Sequence, residues 1–200
     1  SKQHKTFCQI KFLELIRIHY VSGKTGERIM KRYVLLFLML AGLANAQTVI
    51  SDSLFSKVLK RSIKMTIVLP RDYDSTKTHS VFYLLHYLGG DDRAYIDMNM
   101  LSSLDNKPII TVTPDVGTSW YINSKVNPAE RYEDFFRAEL FSYIDNRFNT
   151  DTASQAIGGS SMGGYGALLI GLKNSERFNL IADLSGAINV PFAGVSDSVY

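Results

Sequence analysis

The sequence predicts an α/β protein built on a mostly parallel sheet. Two short runs are almost wholly apolar, residues 81–85 (VFYLL) and 109–113 (IITVT), as strands covered on both faces must be. Residues 132–148 carry helical periodicity, with apolar side chains at Tyr132, Phe135, Phe136, Leu140, Ile144 and Phe148. A glycine- and serine-rich junction, Gly159-Ser160-Ser161-Met162-Gly163, joins a strand candidate to a helix candidate.

Taken in order, residues 58–69 (VLKRSIKMTIVL) alternate at Ile63, Met65 and Ile67 and are stopped by Pro70, which reads as a strand. Residues 71–80 are a polar turn region, with His79 expected to be solvated. The strand at 81–85 ends at Gly89-Gly90-Asp91-Asp92, and residues 95–104 are expected to be helical. Pro114 and Asp115 close the strand at 109–113, and residues 117–130 (GTSWYINSKVNPAE) read as a loop. After the helix at 132–148 come a short strand at 156–157, a helix over 163–172 and a strand over 180–184 (LIADL). Strand and helix alternate, and the later connections are long enough for crossovers.

The formal charge of +3 and the pI near 8.9 invite a nucleic-acid reading. The charge is not spread over the chain. Residues 1–46 hold 8 Lys/Arg against 2 Asp/Glu, a net of +6; the remainder hold 14 against 17, a net of −3. The body has no long basic run, so no nucleic-acid partner is expected. The single cysteine is Cys8, which excludes a thiolate nucleophile or a cysteine-based zinc site in the body. No metal and no organic cofactor are expected.

Residues 30–46 (MKRYVLLFLMLAGLANA) have the order of an export signal: Lys31 and Arg32, a short apolar stretch, then Ala44-Asn45-Ala46. Cleavage would leave Gln47 first. The alternatives are a buried helix or a membrane anchor, for which the apolar run is short. Residues 1–29 read as an upstream extension outside the native protein, with an amphipathic helix as the alternative. The expected organisation is therefore 1–29 extension, 30–46 signal peptide and 47–200 catalytic domain, with a secreted or periplasmic product and no stable membrane span after cleavage.

The junction at 159–163 fits Gly-x-Ser-x-Gly in one phase only, because a nucleophile at Ser160 would put Met162 where a glycine is needed. In an α/β hydrolase this pattern forms a sharp strand-to-helix turn that lifts the serine above the sheet, and the following amide faces developing negative charge. Ser161 is then the nucleophile, Met162 one oxyanion donor, and Gly159 and Gly163 the positions where side chains would crowd the turn. A glycine-rich turn that binds an anion, or nothing, is the plain alternative. The loop after the strand at 81–85 is expected to supply a second amide, from Leu88, with Gly89 and Gly90 letting the backbone approach the substrate. His86 is read as a residue that orients this loop, with catalytic base as the alternative.

Four stretches carry a resemblance: VFYLLHYLGG, TVTPDVGTSWYINS, RYEDFFRAELFSYIDNRF and AIGGSSMGGYGALLIGLKNSERFNLIADLSGAI. In this order they resemble the esterase family that includes S-formylglutathione hydrolase (esterase D), antigen 85-type mycolyltransferases, and feruloyl and acetyl-xylan esterases. The resemblance covers roughly residues 50–190. It implies an α/β-hydrolase three-layer sandwich, C-terminally truncated in this chain, with Ser161 as nucleophile and Met162 and Leu88 as oxyanion amides. It places Ser119, Trp120 and Tyr121 along the active-site cleft, where Trp120 and Tyr121 either stack on substrate or pack the wall. The sequence departs from the family at Tyr87, where a glycine usually follows the histidine, so Tyr87 is expected to shift the oxyanion loop or narrow the acyl pocket. Gln155 stands where arginine is frequent.

The resemblance also implies an acid after a later strand and a late histidine, both expected beyond Tyr200. Asp183 and Asp197 do not match the acid's position. The expected activity is that of a secreted serine ester hydrolase acting through an acyl-enzyme on a small-molecule or polysaccharide-linked ester, with the 200-residue chain itself nearly inactive. The alternatives are an acyltransferase and a non-catalytic ligand-binding module of the same fold.

Overall fold

Six strands form one sheet in the order β1-β2-β4-β3-β5-β6. The computed structural model describes residues 32–33, 47–104 and 107–188. By its contacts the chain divides into two units, Ser1–Ala46 and Gln47–Tyr200. In the first, only Arg32 and Tyr33 are described, both helical and exposed. The expected extension, the rest of the expected signal peptide, Cys8 and Asp197 lie outside the described residues.

In the second unit, β1 (Thr48–Ser56) and β2 (Arg61–Leu69) form an antiparallel hairpin, paired from Thr48↔Leu69 to Ser56↔Arg61. Lys60 closes the turn with φ 54°. β2 runs antiparallel to β4 (Ile109–Pro114). β4, β3 (Ser80–Leu85), β5 (Gln155–Ser160) and β6 (Phe178–Leu184) are mutually parallel. The mostly parallel sheet is thus present, with antiparallel pairing confined to the β1–β2 side. Val81, Tyr83 and Leu85 on β3 and Ile110 and Val112 on β4 are fully buried, as the apolar runs required.

β1 was not expected, and the strand assigned to 58–69 starts only at Arg61. The reason lies in what β1 turns inward. Its inner positions are Ile50, Asp52, Leu54 and Ser56, while Val49 and Phe55 are exposed. Two of the four inner side chains are polar, which hides the apolar alternation. Both find partners on the helix that follows β4: Asp52 accepts from Tyr143 Oη at 2.7 Å, and Ser56 Oγ donates to Glu139. Glu139 also accepts from the Lys57 amide at 2.8 Å, so one carboxylate holds the hairpin turn.

The expected helix at 95–104 is broken. Asn99, at φ 53°, separates α1 (Ala94–Asp97) from a 3₁₀ turn (Met100–Leu104). The helix at 132–148 is present as one rod of α2 (Tyr132–Phe135), a π-helical turn (Phe136–Leu140) and α3 (Phe141–Arg147). Its buried residues include Tyr132, Phe136, Leu140, Ile144 and Phe148, which recur every fourth position. An α-helix turns in about 3.6 residues, so a strict spacing of four drifts around the rod. One wider π turn takes up the excess and keeps the stripe on the sheet.

The strand expected at 156–157 extends through the glycines to Ser160, and β6 begins two residues earlier than expected. α4 (Met162–Lys173) follows β5 directly. At the amino ends of the parallel strands, Gln155 sits in a polar cluster. Its amide donates to Asp145 and its oxygen accepts from Arg177, which pairs with Asp145 and lies 4.7 Å over the Phe141 ring. His79, near the same end, is not solvated. It is buried, stacked on Tyr73 at 4.9 Å, with Nε2 bonded to the Asp74 carbonyl.

Candidate active site

The carboxyl ends of β3 and β5 adjoin, with Leu85 paired to Gly159. Crevices at that end of a parallel sheet are where ligands bind. β5 ends at Ser160 and α4 begins at Met162, so a single residue, Ser161, makes the whole turn. It does so at φ 54° and ψ −118°, a conformation that costs on the order of 1–3 kcal/mol in a residue with a side chain. The strain is held by three backbone bonds: Ser161 N–H donates to Leu184 on β6 at 3.0 Å, and the Ser161 carbonyl accepts from Tyr165 at 3.0 Å and Ala187 at 3.4 Å. Met162 is the first residue of α4, so its N–H has no intrahelical acceptor.

Side chains at Gly159 and Gly163 would crowd this turn. A Cβ on Gly159 would lie 2.5 Å from the Leu85 carbonyl oxygen and 2.6 Å from Gly163. A Cβ on Gly163 would run into that same Leu85 carbonyl and come within 2.8 Å of the His86 carbonyl. The loop after β3 is therefore clamped directly against the start of α4. Among the described residues, Leu88 N–H in this loop has no hydrogen-bond acceptor, and Gly89 follows with φ 83°. Gly90 N–H closes the turn on the Tyr87 carbonyl at 2.9 Å.

His86 is 1% exposed, and both ring nitrogens are engaged. Nδ1 meets the Tyr87 carbonyl at 2.8 Å, and Nε2 accepts from Val116 N–H at 3.2 Å. That pattern requires the neutral ring protonated at Nδ1. A ring so held ties the β3 loop to the segment after β4 and has no nitrogen left for a serine proton.

Ser119, Trp120 and Tyr121 follow β4 and separate in role. Trp120 and Tyr121 both have positive φ, 56° and 61°. Ser119 Oγ accepts from the Tyr121 amide at 3.2 Å. Trp120 is half-buried, edge-on to Tyr165 of α4 at 6.2 Å. Tyr121 turns inward to full burial and donates its hydroxyl to the His86 carbonyl at 3.0 Å. It acts as a strut beneath the loop, not a surface of the cleft. Asp183 lies against Gly164 and Gly186, on the α4 side of the sheet.

Tyr95 was not anticipated at the site. Its buried hydroxyl donates to the Leu85 carbonyl at 2.9 Å and accepts from Ser160 N–H at 3.2 Å, joining the last residues of β3 and β5 beside Ser161. No sequence signal marks it, because it lies ten residues after Leu85 in a segment that reads as ordinary helix.

Burial raises the pKa of Tyr83, Tyr95 and Tyr121 above the ordinary tyrosine value. The folded state thus keeps phenolic protons that the unfolded chain releases from about pH 10 upward. With more protons bound in the folded state, stability falls as pH rises. Denaturant midpoints are expected to change little through these groups below about pH 9 and to decline steeply above about pH 10. Midpoints that stay level to about pH 11 would contradict this.

Among the described residues no group of histidine, cysteine and carboxylate side chains could hold a metal ion, and no helix is long and apolar enough to cross a membrane.

A sequence profile of the family described as "Putative esterase" matches residues 56–196. An esterase of Mycobacterium tuberculosis is 37% identical over 132 residues, covering 61% of this chain and 28% of that protein. An acetyl esterase of Caldicellulosiruptor saccharolyticus is 29% identical over 146 residues, covering 67% of this chain and 54% of its own length. Among solved structures, a ferulic acid esterase superposes with a TM-score of 0.62 at 29% identity, over 71% of this chain and 60% of that one. The match thus spans under a third of the mycobacterial relative and about half of the acetyl esterase.

Proposed function

Because the chain belongs to the "Putative esterase" family of α/β hydrolases, we propose that the complete protein is a secreted serine ester hydrolase whose nucleophile is Ser161. The observation that carries this reading is the single-residue turn at Ser161, strained to φ 54° and ψ −118° at the start of α4. A structural turn gains nothing from a side-chain-bearing residue in that conformation.

Ser161 Oγ attacks the ester carbonyl carbon, and a general base takes its proton. The carbonyl oxygen becomes an oxyanion held by the amides of Met162 and Leu88. Collapse expels the alcohol and leaves an acyl-serine, which water hydrolyses. The base is a histidine outside the described residues, since His86 and His79 are both buried and bonded elsewhere. Export is supported by the order of charge and apolarity in residues 30–46. For an acyl-decorated carbohydrate as substrate, the acyl part is supported by the acetyl esterase and ferulic acid esterase among the similar proteins, and the sugar part by the half-buried Trp120 beside the site, an indole on which a sugar ring can stack.

The test is covalent. The complete protein is treated with a fluorophosphonate, which reports an activated serine, and the modified residue is found by peptide mass spectrometry. A single adduct on the peptide containing Ser161 is expected. No adduct would leave the fold as a non-catalytic binding module.

A further inference from the structure

We infer that Tyr87 is the specificity-determining residue of the site and selects esters whose acyl group is apolar and extends several carbons beyond the carbonyl. The inference rests on the esterase reading above. Tyr87 directly precedes Leu88, whose amide is the proposed oxyanion donor, so the loop that would hold the oxyanion also carries an aromatic ring.

The backbone beneath that ring has a fixed place. The carbonyl of Tyr87 accepts from His86 Nδ1 at 2.8 Å and from Gly90 N–H at 2.9 Å. The preceding carbonyl, of His86, faces Gly163 and takes the Tyr121 hydroxyl. The ring has partners of its own. It stands edge-on to Tyr95 at 6.1 Å, and its hydroxyl meets the Met98 sulfur at 3.7 Å. Tyr95 in turn bonds the amide of Ser160, the neighbour of the nucleophile. A continuous line of contacts therefore runs from the elbow through Tyr95 to Tyr87 and Met98.

Along this line the apolar surface remains open to solvent. Tyr87 is half-buried, Leu88 is 50% exposed and Met98 is 51% exposed. Leu88 carries the proposed oxyanion amide on the same residue as its exposed side chain. A ring that swung freely would plug the crevice and favour the smallest acyl groups. A ring that rests against Tyr95 and Met98 instead leaves apolar surface exposed on the loop that carries the proposed oxyanion amide. An acetyl group ends before reaching such a surface, whereas a longer apolar chain covers it and removes both surfaces from water. Methionine suits the outer end because its unbranched thioether adapts to the group laid on it.

The experiment compares kcat/KM of the complete protein for p-nitrophenyl hexanoate and p-nitrophenyl acetate. The leaving group is shared, so the ratio isolates the acyl part, and the ratio does not depend on the fraction of protein that is folded. The wild-type ratio is expected to exceed that of Tyr87→Gly by about tenfold, the scale on which small changes in apolar contact discriminate substrates. Tyr87→Phe keeps the ring and is expected to hold the ratio within about twofold. Should Tyr87→Gly fail to fold, Met98→Ala leaves the loop backbone intact and must lower the ratio in the same direction. A ratio unchanged in Tyr87→Gly, or in Met98→Ala where that variant stands in for it, overturns the inference, as does a rise toward the longer ester. Failure of the esterase reading looks different: the wild-type protein would neither turn over either ester nor take a fluorophosphonate label, and the inference would fall with it.

Discussion

Replacing Ser161 by alanine is expected to lower ester turnover by the complete protein on the order of 10⁶-fold, the scale seen when a catalytic serine is removed. The fold should be little affected. Alanine carries the same Cβ through the same strained turn, and among the described residues the Ser161 hydroxyl makes no hydrogen bond that the fold would lose. The thermal midpoint of Ser161→Ala is therefore expected to match the wild type closely. Ser161→Gly sharpens the comparison. Glycine adopts φ 54°, ψ −118° without the clash that a Cβ brings, so this variant should be equally inactive and yet more stable by about 1 kcal/mol. Turnover assays with calorimetry on the three proteins decide the matter. Substantial turnover by Ser161→Ala would place the nucleophile elsewhere, and a Ser161→Gly protein no more stable than the wild type would remove strain as the mark of this turn.

Gly163→Ala is expected to be the most damaging small substitution, at more than about 3 kcal/mol in denaturant unfolding. The added methyl meets the Leu85 carbonyl group and the His86 carbonyl oxygen. All of these are backbone atoms, so no side chain can rotate away. Relief requires the end of β3 and the loop beyond it to lift off α4. That movement also carries the Leu88 amide away from the Met162 amide, so activity should fall on the order of 10²–10³-fold in whatever fraction remains folded. Gly117→Ala is the control. Gly117 has φ 59°, but a Cβ there meets nothing within 4 Å, so only the conformational penalty of about 1 kcal/mol applies. Equal losses in the two variants would show that the clamp against Leu85 is unimportant.

These two experiments act on features that differ in how far a sequence exposes them. The Gly-x-Ser-x-Gly junction carries its own spacing rule, because the sharp turn excludes side chains at fixed offsets from the serine. Gly159 and Gly163 could be assigned before any coordinates, and the contacts with Leu85 supply the reason. The buried parallel strands were equally legible, since a strand covered on both faces has no polar face to display. β1 was hidden because Asp52 and Ser56 point inward and are satisfied by Tyr143 and Glu139, side chains that lie some eighty residues or more away in sequence. The helix expected over 95–104 broke at Asn99, where apolar periodicity gave no warning of a left-handed residue.

The sequence by itself therefore determined the order of strands and helices from β2 onward, the position of the candidate nucleophile and the loop expected to face it. Each depends on local rules: apolar periodicity, turn chemistry and the steric limits of one tight turn. Only the tertiary structure decided which side chains hold those parts together. Tyr121 is a buried strut because its hydroxyl reaches the His86 carbonyl, His86 is a loop brace because Val116 and Tyr87 occupy its ring nitrogens, and Tyr95 is the link between the ends of β3 and β5. A polar group's role is set by the partner that meets it in space, and that partner's distance along the chain carries no signature in the sequence.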